Sequence, residues 1–200
     1  MLQWVAPTGQ AVNYISRQAD KDNNAWLIWF YFWNLSPRWH LESIAALCGN
    51  IDQESTTNPL VRDFNSTGAF GLVQWATYKQ ALNTWCLQNG YNRDNGTDQC
   101  RYLEHERAIN QNYLVRSGYS LTWNDFAYNQ QGKTVDYLTA SFKYQYEKNP
   151  SEDTDARITK ARHYYDLFQG EQPYFGISNP WLYSLKKPWW KPGGRKYIHA

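Results

Sequence analysis

The strongest constraint in this chain is a helix that punctuation cuts at both ends and whose last turn carries a carboxylate. Ser36-Pro37 reads as a start signal, because serine can cap free N–H groups and proline has no N–H to lose in a first turn. Asn58-Pro59 reads as the stop, since the residue before proline is pushed out of the helical region. Between them Leu41, Ile44, Leu47, Cys48 and Ile51 recur at three- and four-residue steps and draw one apolar stripe that needs a core to face. Glu54 lies three residues beyond Ile51, at the edge of that stripe and near the last turn.

A carboxylate there is poorly placed for stability. The helix C-terminus is the negative end of the macrodipole, and partial burial disfavours ionisation; both effects predict a raised pKa. A general acid needs that property if it is to hold a proton near neutral pH and pass it to a leaving-group oxygen. The alternative is an ordinary solvated glutamate on a fraying turn. The next stretch of chain weighs between the two: a polar interval and then a glycine-bracketed segment, Gly68 to Trp75, able to fold back over the end of the helix.

The string G-N-I-D-Q-E-S-x-x-N-P over residues 49–59, followed by G-x-F-G-L-V-Q-W over residues 68–75, resembles the phage tail lysozyme family, a relative of goose-type lysozymes and lytic transglycosylases. Downstream, Phe142, Tyr146 and Glu147, then Arg157, Ala161, Tyr164 and Tyr165, are similar to that family's closing F-x-x-x-Y-E and R-x-x-x-A-x-x-Y-Y segment. The resemblance spans roughly residues 24–168. It implies a lysozyme-like fold and cleavage of the peptidoglycan glycan between its alternating amino sugars, with Glu54 as the acid and Ser55 beside it as a hydrogen-bond partner. It places Gly71, Leu72, Gln74 and Trp75 on the substrate cleft and Tyr146 close to the acid, and leaves the role of Glu147 open. The stretch Tyr128-Asn129-Gln130-Gln131-Gly132 departs from a more glycine-rich turn in relatives.

A second carboxylate, Asp63, comes nine residues after Glu54, a spacing similar to that of acid and aspartate in some phage endolysins. It has two readings: a group that positions water or stabilises an oxocarbenium ion, or a turn aspartate bonded to its own backbone, which the single essential glutamate of goose-type relatives favours. Without a carboxylate to support water, the sugar's own hydroxyl can attack and give an anhydro product. Three functional classes therefore stay open: a muramidase, a lytic transglycosylase with the same acid, and a non-catalytic tail or wall-binding component.

Composition limits the partners. A formal charge of +2 on 200 residues gives no argument for nucleic acid, and 42% hydrophobic content suits one domain with a real core. The excess lies in 16 tyrosines and 11 tryptophans, rings that bury large areas and can stack on sugars, although most are expected to fill the core. Residues 1–24 form an N-terminal segment without the features of a secretory signal. The apolar run from Ala25 to Leu35 is too short for a membrane span and reads as a buried first helix. Delivery to the wall then falls to lysis, a separate pore or a particle, and the resemblance favours a virion tail.

Further helices are expected at residues 77–87, 98–115, 134–146 and 155–168, with one small β candidate at residues 60–75, so the domain over residues 25–170 reads as mainly α with a small hairpin lobe. Ile109 and Tyr113 are expected in the core. Cys86 and Cys100 are able to pair under oxidising conditions, while Cys48 lies on the buried stripe. The chemistry needs no metal or cofactor. After Gly170 the composition shifts to an arm, residues 171–200, with four prolines, Trp181, Trp189, Trp190 and a basic cluster of Lys186, Lys187, Lys191, Arg195 and Lys196. Either it wraps its own domain or it docks on another tail protein or an anionic wall polymer.

Overall fold

Helix α2 (Leu41–Ser55) is the axis of the molecule, and every residue from Ser43 to Asp52 along it is buried. The computed structural model of the protein describes residues 2–7, 14–62, 68–76, 79–116, 118–148 and 153–169, so Asp63 and the arm over residues 171–200 lie outside the described residues. A helix covered on all sides needs more than the one stripe its leucines and isoleucines draw. Ala45, Ala46 and Gly49 supply the rest, by letting neighbours approach the faces that large side chains leave bare.

The closest neighbour is α7 (Thr154–Gln169). The two run antiparallel, as the pairs Glu42 with Tyr165, Gly49 with Ala161 and Glu54 with Arg157 show. A Cβ on Gly49 would fall 2.5 Å from the Ala161 Cβ and 2.7 Å from its backbone, so the helices touch backbone to backbone at that level. On other sides lie α1 (Gln18–Trp33), whose Lys21 reaches Asp52, α5 (Trp123–Tyr128), whose Phe126 carbonyl accepts from Ser43, and α6 (Val135–Phe142), whose Thr139 carbonyl accepts from Asn50. Trp39, Trp123, Phe126, Phe142, Tyr113 and Tyr146 meet at ring separations of 4.7–6.5 Å, which gives many of the aromatic residues a packing role.

The start of α2 differs from the expected one. Helical geometry begins at Leu41, and Ser36-Pro37 belongs to the return from α1. That return is fixed by tertiary bonds from Trp39 N–H to the Phe32 carbonyl and from His40 N–H to the Ala127 carbonyl. The far end comes at Ser55, followed by Thr56 in the left-handed region at φ 52°. Asn58-Pro59 acts just beyond it, where the Asn58 side chain accepts from the Leu60 N–H.

Helix α1 begins at Gln18, earlier than Ala25. Its buried Asn24 clamps the N-terminal strand of chain through Val5 N–H and Val5 carbonyl, and Trp4 lies against Gly96, where an added Cβ would sit 2.5 Å from the indole. Helix α3 (Lys79–Asn89) ends before Gly90 at φ 70°, as its sequence indicates. Helix α4 (Gly96–Ala108) is capped by Asn95 and stops seven residues short of the expected Val115. Asn110 and Asn112 adopt φ of 52° and 68°, conformations that asparagine tolerates and a helix excludes. Ile109, 54% exposed, is therefore not a core residue, whereas Tyr113 is buried and its hydroxyl meets Ser141 at 2.9 Å.

Among the described residues, β pairing near the site consists of isolated bridges, Arg62 with Phe70 and Phe70 with Trp75, so a hairpin lobe is not seen there. The three cysteines are free, buried thiols; burial pushes Cys86 up to about 11 and raises Cys48 and Cys100 well above the ordinary thiol range. Among the described residues no helix is long and apolar enough to cross a membrane.

Candidate active site

Glu54 projects from the last turn of α2 with its side chain 17% exposed, enough for contact with solvent on one side. Its Oε1 accepts from Nη2 of Arg157 at 2.5 Å. Arg157 is fully buried and enters from the first turn of α7, on the face that Ala161 presents to α2. Its Nη1 donates to Oε2 of Glu147 at 2.6 Å and to Oδ1 of Asn50 at 3.0 Å. One guanidinium thus serves two carboxylates, one from α2 and one from the π-helical turn Lys143–Glu147 that continues α6. A neighbouring cation favours the charged carboxylate, so Arg157 works against the helix-end and burial effects that the sequence brings forward for Glu54.

Below this pair lies a second ionic group. Asp52 receives Lys21 Nζ at 3.0 Å, Tyr164 hydroxyl at 2.9 Å and Lys160 Nζ at 3.6 Å. Lys160 also donates to Gln53 Oε1, and burial lowers its pKa. The G-N-I-D-Q-E string therefore alternates between two clusters on one helix: Asn50 and Glu54 meet Arg157, while Asp52 and Gln53 meet the lysines.

The glycine-bracketed segment closes on the end of α2 by main-chain bonds. Ser55 Oγ lies 2.8 Å from the Leu72 carbonyl and 3.0 Å from the Ile51 carbonyl, so its hydroxyl ties the helix to the turn. Gly71, at φ 84°, is the point where the chain passes Gln99 of α4; an added Cβ would stand 2.7 Å from the Gln99 Oε1 that accepts from the Leu72 N–H. Gln99 Nε2 also donates to the Pro59 and Arg93 carbonyls, making it the buried clasp of the whole loop. Gln74 adopts φ 49° and donates its amide nitrogen to the Val61 and Gly71 carbonyls.

Trp75 is 3% exposed, and its indole N–H faces Tyr146 Oη at 3.0 Å and Glu106 Oε2 at 3.3 Å. The Tyr146 hydroxyl donates to the same Glu106 oxygen at 2.5 Å, and Asn112 donates to the other at 2.8 Å. Burial pushes the Glu106 carboxyl above its ordinary range, against the three hydrogen bonds that lower it, and burial together with the Glu106 charge pushes the Tyr146 phenol well up. Tyr146 and Glu147 are thus consecutive residues on a π-helical turn that engage two different groups: Tyr146 donates to Glu106, and Glu147 accepts from Arg157 beside Glu54. Insertions of this kind in helices are frequent at functional sites.

Of the residues the sequence singles out, the structure brings Glu54 and Glu147 together through Arg157, Ser55 to the Phe70–Trp75 turn, and Trp75 to Tyr146. Glu106 and Gln99 carry much of this geometry and do not stand out in the sequence. Their signal is spacing: Gln99, Tyr102, Leu103 and Glu106 keep a three- and four-residue rhythm, so two polar residues occupy an otherwise apolar face of α4.

A helical domain in which one carboxylate-bearing helix is closed by a glycine-bracketed turn agrees with the result of sequence comparison: the phage tail lysozyme family model matches residues 23–168, and the chain belongs to that family. Among curated proteins it is similar to morphogenesis protein 1 of Bacillus phage B103, with 28% identity over 142 residues. That match covers 68% of this chain and 38% of the relative, so the chain spans well under half the length of the protein it resembles.

Proposed function

We propose that the chain is a peptidoglycan-cleaving glycosidase of a phage particle, a muramidase acting on the β-1,4 bond between N-acetylmuramic acid and N-acetylglucosamine, with Glu54 as general acid. The observation that carries this reading is the position of Glu54: a partly exposed carboxyl on a buried helix end, held by a buried arginine, with the next residue, Ser55, tied to the Phe70–Trp75 turn. Membership of the phage tail lysozyme family supports it. In the reaction the Glu54 carboxyl gives its proton to the bridging oxygen as the glycosidic bond breaks, and the positive charge developing on the sugar ring faces the carboxylate left behind.

The surrounding residues take their roles from the atoms each has available. The Gln74 amide nitrogen is engaged by two carbonyls, so its oxygen is the atom offered to a sugar hydroxyl. Trp75 is too deeply buried to stack on a sugar and acts as the floor that Tyr146 and Glu106 hold in place. Gly71 lets the turn approach α4. Asp63, outside the described residues, is the candidate partner for an attacking water; a lytic transglycosylase would do without one. The arm over residues 171–200 is proposed to dock on another tail protein, consistent with delivery on a virion.

Digestion of purified peptidoglycan, followed by mass spectrometry, tests the proposal. Wild-type protein is expected to release fragments with reducing ends, and Glu54→Gln, folded normally, to lose about 10²–10⁴-fold of that activity. Anhydro ends would replace the hydrolase with a transglycosylase. Equal cleavage by both proteins would remove Glu54 from the chemistry, and no cleavage by either would leave a structural role.

A further inference from the structure

A general acid beside a buried arginine poses a problem, because a full positive charge in contact favours loss of the very proton the reaction needs. The structure contains a remedy. Arg157 presents its two terminal nitrogens to different carboxylates, Nη2 to Glu54 and Nη1 to Glu147. The Glu147 side chain is only 6% exposed, and Arg157 is fully buried. Two glutamates thus share one guanidinium. Glu54, the more exposed of the two, is the one open to solvent and substrate.

We infer that Glu147 is a positioning residue: by sharing Arg157 it offsets the guanidinium charge and leaves Glu54 able to carry a proton. This rests on Glu54 being the acid, as proposed above. Two effects act in the same direction. Glu147 repels a second negative charge on Glu54, and it holds the Nη1 edge of Arg157 so that the cation is not devoted to Glu54 alone. The backbone favours the arrangement, because the π-helical turn places Tyr146 on Glu106 and the next side chain on Arg157.

Among the described residues, neighbouring charged groups have partners of their own. On α2, Asp52 is met by Lys21 from α1 and by Lys160 and Tyr164 from α7. Lys160 is also bonded to Gln53. On the π-helical turn, Lys143 donates to Thr154 Oγ1, and the charge of the following Lys148 acts on Glu106. On α6, Asp136 pairs with Arg162 of α7 at the exposed surface. Asn50 is the neutral member of the Arg157 shell.

The experiment is a titration of the two carboxyls by carbon NMR on glutamate-labelled protein, read alongside the pH dependence of peptidoglycan cleavage. In the wild type the Glu54 and Glu147 signals should titrate in coupled steps, each curve registering the other's proton. In Glu147→Gln, which keeps the shape and an oxygen for Arg157, the Glu54 midpoint should fall by about one pH unit, a tenfold loss of protonated acid at a given pH. The alkaline limb of cleavage should move down with it, while the rate at the acid plateau is retained. Independent single-step curves in the wild type, or a Glu54 midpoint unmoved in the variant, overturn the inference. Because the wild-type titration is decisive by itself, a variant that fails to fold does not rescue it. Absence of cleavage by wild-type protein strikes the proposed function and is distinguishable, since the carboxyl titrations do not depend on turnover.

Discussion

At Gly71 one hydrogen atom separates a workable turn from a strained one. The position needs a positive φ, and a Cβ would press on the Gln99 oxygen that holds the Leu72 N–H. Gly71→Ala is therefore expected to lower stability by about 1–3 kcal/mol, through left-handed strain and a disturbed buried hydrogen bond. Urea unfolding measures this, and a midpoint within error of wild type would refute the close approach. At this scale the sequence speaks clearly where a residue's type carries its meaning. Glu54 on the last helical turn and the glycines of the next segment are legible because helix spacing and glycine's backbone freedom are local properties. Arg157 is visible only as part of a motif. Its bond to Glu54 joins residues 103 positions apart, and no periodicity reports a contact of that kind. Asn129 shows the opposite case: at φ 45° it supplies the left-handed cap after α5 that a glycine would otherwise provide.

Among the elements, the contact of α2 with α7 decides whether the site exists. Gly49→Val should push the helices apart at Ala161 and cost about 1–3 kcal/mol from overpacking, with backbone rather than a flexible side chain in the way. Arg157 lies one turn from Ala161, so the same change should reduce cleavage more than it reduces the folded fraction. Activity measured at a temperature where circular dichroism still shows full helix content separates the two, and full activity in that folded state would count against this coupling. Element boundaries are less legible than element existence. The start of α2 is set by bonds from residues 39 and 40 to distant carbonyls, and α4 ends where two asparagines turn left-handed. Helix α5 escapes a reading by periodicity, because six residues are too few for one to register. Its sequence signal is the capping-box spacing of Thr122 and Asp125, and both reciprocal bonds of that box are formed.

For the molecule as a whole, Glu106 gives stability a pH dependence of defined sign. Its folded pKa is raised above the unfolded value by burial, so the folded state holds the proton more tightly. The resulting stabilisation is fully present below the ordinary glutamate pKa, about 4.3, and is lost as pH rises through the raised folded value. Glu106→Gln removes this term. Urea midpoints of wild type and variant should converge in their slope above the folded pKa and diverge in the window between the two pKa values, where only the wild type loses stability with rising pH. Parallel curves through that window would show that the three hydrogen bonds balance burial. The fold class is legible from helical patterning, but a buried carboxylate on an α4 face is a property of the assembled core.

The antiparallel seating of α2 on α7 also has a consequence for how the chain comes into being. Arg157 is synthesised about a hundred residues after Glu54, which at about 5–20 residues per second is roughly 5–20 s of translation. Throughout that interval the central helix has no cover on the face Ala161 will occupy, and the Arg157 guanidinium has yet to reach Glu54. The nascent chain thus leaves that face of α2 exposed until α7 docks, so the step that covers the helix is also the step that brings Arg157 to Glu54.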